Sequence, residues 1–169
     1  MLEHLNDKDY YLYYIKNNEK IIAAIYANYI CERLYLLVIA VDKNYRLQGI
    51  SRYLINNVVD LCDGKVKEIH VWPNILDKDK SYSYYLHNGF KPVLYISNYE
   101  GVDLNDYNKY GFEIYESKIE NYHSEGIEYS FCNYKYYVDS PKEEYISYYE
   151  KTIPNILAWY IFIKKIQDN

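Results

Sequence analysis

Hydrophobic and polar positions change rhythm several times along this chain, and each rhythm predicts a different element. From Tyr10 to Lys16 and from Lys20 to Tyr29, tyrosine, isoleucine and alanine fill two runs parted by Asn17-Asn18-Glu19. Aromatic and branched residues on either side of such a turn predict a β-hairpin. From Leu34 to Val41 the run LYLLVIAV is apolar without a break, the pattern of a strand buried on both faces. Asp42, Lys43 and Asn44 end it with turn-forming residues. A helical rhythm follows, with Ile50, Tyr53, Leu54, Val58 and Leu61 at helical spacing and Asp63-Gly64 as a stop. Lys67 to Trp72 returns to a strand. Two strands joined through a helix predict a right-handed βαβ unit with the strands parallel.

Beyond Trp72 a polar segment, Pro73 to Lys80, leads into a short helix carrying Tyr84, Tyr85 and Leu86, closed by Asn88-Gly89. Phe112 to Ile119 and Ile127 to Val138 read as a second hairpin around Asn121 to Gly126. Ser140-Pro141-Lys142-Glu143 reads as a helix start, with Ser140 as cap and Glu143 reaching back, so Tyr145 to Lys151 is expected to be helical. Pro154 interrupts. The last run, ILAWYIFIKKI, is apolar on every side; periodicity alone fits a buried helix or a final strand.

Composition narrows the classes. A chain of 169 residues without a linker-like stretch is one domain with room for a core. No apolar run reaches the length of a membrane span, and MLEHLNDKDY is too polar for a signal peptide. The three cysteines, Cys31, Cys62 and Cys132, suggest neither a disulfide set nor a zinc site, so no metal is expected and an intracellular, cytoplasmic setting is. The 26 tyrosines interleaved with lysine invite a nucleic-acid reading, but the net charge of -5 opposes a phosphate-backbone partner. Tyrosine, isoleucine, asparagine and lysine are all spelled by A/T-rich codons, so a low-GC genome explains the excess. An acidic surface suits a cationic partner such as a polyamine or a lysine-rich protein.

The candidate chemistry lies in Arg46-Leu47-Gln48-Gly49-Ile50-Ser51, between the apolar strand and the helix. The amides of Gln48 to Ser51 are donors at a helix N-terminus, where the macrodipole also favours an anion. GxxxxGK[ST] is absent, and one glycine falls short of the dinucleotide fingerprint. The hexapeptide resembles the acetyl-CoA signature of the GNAT acetyltransferase superfamily, R/Q-x-x-G-x-G/A, with Arg46 first, Gly49 fourth and Ser51 in place of the last small residue. Tyr85-Leu86-His87-Asn88-Gly89-Phe90 resembles the same family's Y-x-x-x-G-F. A second copy, Tyr107 to Phe112, is read as a helix end running into a strand. The resemblance covers roughly Tyr10 to Ile96.

That resemblance implies an α/β (α+β) fold: a mixed, mostly antiparallel twisted sheet with a central parallel βαβ unit. It implies a single domain over 1–169, a core over 10–96 and a C-terminal extension over 97–169 packing on the same sheet. The family's usual N-terminal strand and two helices, which cover the acceptor pocket, are expected to be missing. The C-terminal segment, taken as a strand, is expected to fill their place at the edge of the first hairpin. The cofactor expected is acetyl-CoA, its diphosphate on Arg46, Leu47, Gln48, Gly49, Ile50 and Ser51 and its pantetheine arm on the backbone of Ile39 and Val41. An amide of Val38 to Ala40 would stabilise the oxyanion. Tyr85 matches the family's acid. Where some relatives place a glutamate on the fourth strand this chain has Tyr35, and the candidate base is Glu32 or a C-terminal carboxylate, reached through a chain of water. The implied activity is acetyl transfer to an amine of a small molecule or protein, with no nucleic acid, no membrane and a possible homodimer through the last strand. A degenerate acyl-CoA binder and a cofactor-free interaction module stand as the alternatives.

Overall fold

The computed structural model describes residues 2–7, 9–73, 78–98, 102–124 and 127–166. They form two compact units, one of residues up to 72 together with 164–166, the other of residues 73–163. The class is mixed α/β as expected: mostly antiparallel strands, one parallel pair and three α-helices among the described residues.

In the first unit β1 (Leu2–Asp7), β2 (Tyr10–Asn17), β3 (Lys20–Ile30), β4 (Arg33–Val41) and β5 (Glu68–Val71) lie side by side in chain order. The first four are antiparallel, and β4 pairs with β5 in parallel through the helix α1 (Ile50–Leu61). The hairpin turn falls where Asn17-Asn18-Glu19 predicts it, with Asn18 in the left-handed region at φ 53°. One expectation fails: an N-terminal strand is present. β1 covers the outer edge of β2 from Leu2↔Ile15 to Asp7↔Tyr10, and that last register pair leaves no room for a helix between the two strands.

α1 buries Leu54, Ile55 and Val58 against β2, β3 and β4, where Tyr13, Ile25, Ala27 and Leu36 are buried. Each such aliphatic side chain contributes about 1.5–3 kcal/mol on leaving water. Tyr53 and Leu61, expected on this face, are exposed. The buried stripe runs through 54, 55, 58 and 62, which puts 53 and 61 on its shoulder.

The second unit holds α2 (Lys78–His87), β6 (Lys91–Asn98), β7 (Ile114–Ser124), β8 (Ile127–Tyr137), α3 (Glu143–Thr152) and β9 (Ile156–Lys165). β9 enters it as far as residue 163. Its strands run β9-β6-β8-β7, all antiparallel. The apolar C-terminal run is thus a strand. It does not fill the place expected of it: β9 pairs with β6 from Lys91↔Ile163 to Asn98↔Ile156, while the edge of the first hairpin belongs to β1.

Ser140 does not cap α3. The cap is Lys142, whose side chain makes no capping bond; the Tyr160 hydroxyl accepts from the Lys142 N–H at 2.9 Å and donates to the Lys142 C=O at 2.6 Å. A buried phenol from β9 therefore holds the Lys142 peptide in place at the head of the helix. The second Y-x-x-x-G-F copy is a packing feature. Tyr107 ends a 3-10 turn, and Phe112 packs on Tyr110, Tyr136 and Tyr145.

Candidate cofactor-binding and active site

The site begins with a flaw in β4. Tyr26 pairs with Val38 and Ala27 with Leu36, so Leu37 is an extra residue, a β-bulge. A bulge bends and twists the strand that carries it. Among the described residues, pairing with β5 stops at Leu36↔Val71, just before the bulge. Leu37 to Val41, which include Ile39 and Val41, then continue on β3 alone. An apolar run expected to be buried on both faces is instead buried only at Leu34 and Leu36, while Leu37 and Val38 are 46% and 52% exposed. The carboxyl end of β4 is thus left unpaired on its β5 side among the described residues, at the end where α/β sheets hold ligands.

The turn after β4 is tied down on one side and exposed on the other. Asp42 accepts from the Asn44 N–H at 2.9 Å and pairs with Lys20 at 2.6 Å; the Lys20 ammonium, then the Asn44 amide, hold its carboxyl below the usual carboxylate range. Asn17 donates to the Tyr45 hydroxyl at 2.9 Å. These bonds fix the turn to the first hairpin. Arg46 then folds back, its Nε donating to the Val41 C=O at 3.1 Å. That carbonyl is therefore already engaged.

Leu47 and Gly49 both take the left-handed conformation, at φ 63° and 75°. For leucine this costs about 1–2 kcal/mol, and its side chain is fully in solvent. Packing explains neither feature. Strain of this kind gathers where a backbone must present its groups to a ligand. A Cβ placed on Gly49 would meet nothing within 4 Å, so the space above it is open. The first helical bond of α1 runs from the Tyr53 N–H to the Gly49 C=O at 2.9 Å, so the amides of Ile50 and Ser51 stand ahead of the ladder in the field that favours an anion.

Tyr85 lies in α2 of the second unit, 6% exposed, with the rings of Phe90 and Phe162 at 5.4 and 5.6 Å. Burial, with Tyr84 beside it, pushes its phenol up to about 12. It is a neutral hydrogen-bond donor across the physiological range. The Phe90 and Asn88 N–H groups close the helix on the Tyr85 C=O, both at 3.1 Å, as Asn88-Gly89 predicts.

Glu32 is not brought to this region. Cys31 and Glu32, at φ 50° and 63°, form the tight turn into β4, and the Glu32 carboxylate pairs with Lys67 at 2.8 Å. Eight residues of strand at about 3.3 Å each put some ~26 Å between that turn and the end of β4. Sequence reasoning overlooked Trp72, which follows the last paired residue of β5 and is 41% exposed, stacked on Tyr35 at 5.8 Å. A large aromatic followed at once by proline was its one sequence signal. Among the described residues no group of three His, Cys, Asp or Glu side chains is arranged to hold a metal. No helix among them is long and apolar enough to cross a membrane.

The family profile described as "Acetyltransferase (GNAT) domain" matches residues 8–92, half of the chain. No curated protein sequence matches it significantly. Among solved structures it is similar to an IAA acetyltransferase from Bacillus cereus, at 14% identity and TM-score 0.42 over 76% of this chain and 79% of the other. It is also similar to PaiA N-acetyltransferase from Thermoplasma acidophilum, solved with coenzyme A, at 16% identity and TM-score 0.42, covering 73% of this chain and 60% of that one. A GNAT-family acetyltransferase from Staphylococcus aureus Mu50 gives 17% identity and TM-score 0.43, over 73% and 68% of the two chains.

Proposed function

Since the chain belongs to the GNAT acetyltransferase superfamily, we propose that it transfers the acetyl group of acetyl-CoA to an amine. The observation that carries this reading is the exposed, doubly left-handed turn Leu47 to Gly49 at the head of α1, immediately after the strand end that β5 leaves unpaired. The residues present fit the cosubstrate. The amides of Gln48 to Ser51 suit its diphosphate, Leu47 shapes their approach, and Arg46 adds a positive charge. The backbone of Ile39 and of Val41 suits the pantetheine amides, with Val41 contributing its N–H because Arg46 already takes its carbonyl.

The substrate amine must be neutral to attack, and an alkylammonium loses its proton near pH 10.4. The amine nitrogen bonds to the acetyl carbon, the carbon–sulfur bond breaks, the amine proton passes to solvent or a base, and the thiolate gains a proton. A backbone amide of Val38 to Ala40 faces the developing oxyanion. Tyr85 is the proposed acid. With its phenol near 12, complete transfer to a thiolate of pKa about 8.5 is uphill by roughly 5 kcal/mol at 1.36 kcal/mol per unit. Tyr85 therefore acts first by hydrogen-bonding the leaving sulfur, and solvent completes the protonation. Melting scans with acetyl-CoA, followed by thiol release across an amine panel, test the reading; no stabilisation by acetyl-CoA would sink it.

One observation favours a second reading, an acyl-CoA binder without turnover. Glu32 lies at the other end of β4, and Tyr35 occupies the fourth-strand position at which the family resemblance implies a glutamate in some relatives. It predicts stabilisation by acetyl-CoA with no thiol release for any amine.

A further inference from the structure

The sheet of the second unit ends at β7, the last strand in the order β9-β6-β8-β7, and among the described residues nothing pairs with its outer side. Folded proteins blunt such edges with proline, bulges, short length or charge, because a row of open N–H and C=O groups recruits another strand. β7 is eleven residues long, IYESKIENYHS, without proline or glycine. Its one irregularity lies at its start, between Ile114 and Glu116. Ile119, at its midpoint, is 64% exposed. What guards the edge is charge, in Glu116, Lys118 and Glu120.

The outer half of the β7–β8 hairpin also lacks support. β8 pairs with β6 only as far as Cys132↔Asn98, whereas β7 and β8 run on together from Glu120↔Phe131 to Ser124↔Ile127. Among the described residues those last rungs are a ribbon of two strands. Such a ribbon is marginal in water, and a third strand stabilises it.

We infer that β7 is a self-pairing edge: it takes β7 of a second copy, antiparallel across a two-fold axis at Ile119, and joins two sheets into one. Symmetry and charge select the register. A two-fold axis normal to the sheet keeps each face on its own side, so one residue must stand opposite itself and the others pair symmetrically about it. With Lys118 on the axis, lysine meets lysine and Glu116 meets Glu120. With Glu120 on the axis, glutamate meets glutamate. With Ile119 there, Lys118 stands opposite Glu120 of the second copy, and this pair occurs twice. Opposite charges directly across a pair of strands stabilise it, and like charges oppose it. An axis at Ser117 also pairs unlike charges, Glu116 with Lys118, but it draws the irregularity near Tyr115 into the ladder and leaves residues 121–124 without a partner strand. Only the midpoint lets the full length of both strands overlap. In that register residues 120–122 of each copy lie beside 116–118 of the other, which β8 and β6 already back, so each ribbon gains its third strand where it lacks one.

Sedimentation equilibrium of the full chain at micromolar concentrations, without acetyl-CoA, tests this. A reversible dimer is expected. Lys118→Glu and Glu120→Lys are each expected to weaken it at least tenfold, and an equal mixture of the two variants to restore it, because an edge acidic at both positions then meets one basic at both. Should one variant fail to fold, loss in the other and recovery in the chain carrying both changes, which only exchanges the two charges, give the same test. A chain that stays monomeric throughout, a dimer indifferent to either substitution, or a mixture no tighter than its components overturns the inference. So does growth into species larger than a dimer, which would pair β7 with some other edge. The inference is independent of the acetyl-transfer reading, and either can fail without the other.

Discussion

Substitutions at Gly49 separate backbone strain from cofactor contact. Gly49 sits at φ 75°, and a Cβ there meets no atom within 4 Å, so alanine costs conformation and not collision. A left-handed alanine is worth about 1–2 kcal/mol of destabilisation, or roughly 2–8 °C in Tm for a chain of this size. Asparagine tolerates the left-handed region far better, so Gly49→Asn is expected to melt within about 2 °C of the native chain. Its amide nevertheless projects into the space above the turn. Acetyl-CoA at a hundred times its Kd stabilises the native chain by about 2.7 kcal/mol, which corresponds to roughly 5–11 °C. The proposed diphosphate contact requires that gain to disappear in Gly49→Asn while the apo Tm holds. Differential scanning fluorimetry with and without acetyl-CoA reads both quantities. An asparagine variant stabilised as strongly as the native chain would refute the placement of the diphosphate on this turn.

Tyr85→Phe keeps the packing on Phe90 and Phe162, so steady-state assays are expected to show at least a tenfold loss of kcat with the acetyl-CoA shift intact. Stability should fall with alkali: the buried phenol of Tyr85 titrates near 12 when folded and near 10 when unfolded, so its protonated form favours the fold fully below pH 10. That contribution, about 3 kcal/mol at 1.36 kcal/mol per unit, is lost between pH 10 and 12, with Tyr136, Tyr149 and Tyr160 raised in the same direction; denaturant midpoints across that window test it. Tyr160→Phe removes both bonds at the head of α3 and should cost about 1–3 kcal/mol in equilibrium unfolding. Glu32→Gln is expected to leave kcat within twofold, because the carboxylate is spent on Lys67 at the far end of β4; a larger loss would restore it as a base.

The elements that were legible in the sequence are those whose cause is local. The hairpin follows from Asn17-Asn18-Glu19, the βαβ unit from LYLLVIAV and the helical spacing after Gly49, and the strand-to-helix turn from its glycine. What was not legible depends on partners distant in sequence. The bulge at Leu37 leaves no mark in a run where every residue is apolar, so burial on both faces was the natural expectation, and Leu37, Val38 and Ala40 proved exposed. The bonds that hold the Lys142 peptide at the head of α3 come from Tyr160, eighteen residues later in the chain, and no capping rule looks that far. β1 is a polar hexapeptide, LEHLND, made a strand by the edge it covers rather than by its own propensity.

Two strained turns in the first unit show why position alone does not identify a site. Cys31-Glu32 and Leu47 to Gly49 both contain residues in the left-handed region. At the first, the fold supplies the reason: the Glu32 C=O accepts from the Lys67 N–H at 2.8 Å and the Glu68 N–H at 3.4 Å, and its carboxylate pairs with Lys67 at 2.8 Å. The conformation there is what joins β4 to β5. At the second, the strained leucine has its side chain wholly in solvent, and the glycine faces open space. Strain that nothing inside the protein offsets points to a partner outside it. The carboxyl end of β4, and not the Glu32 end, is accordingly where we propose that the acetyl donor binds and offsets this strain.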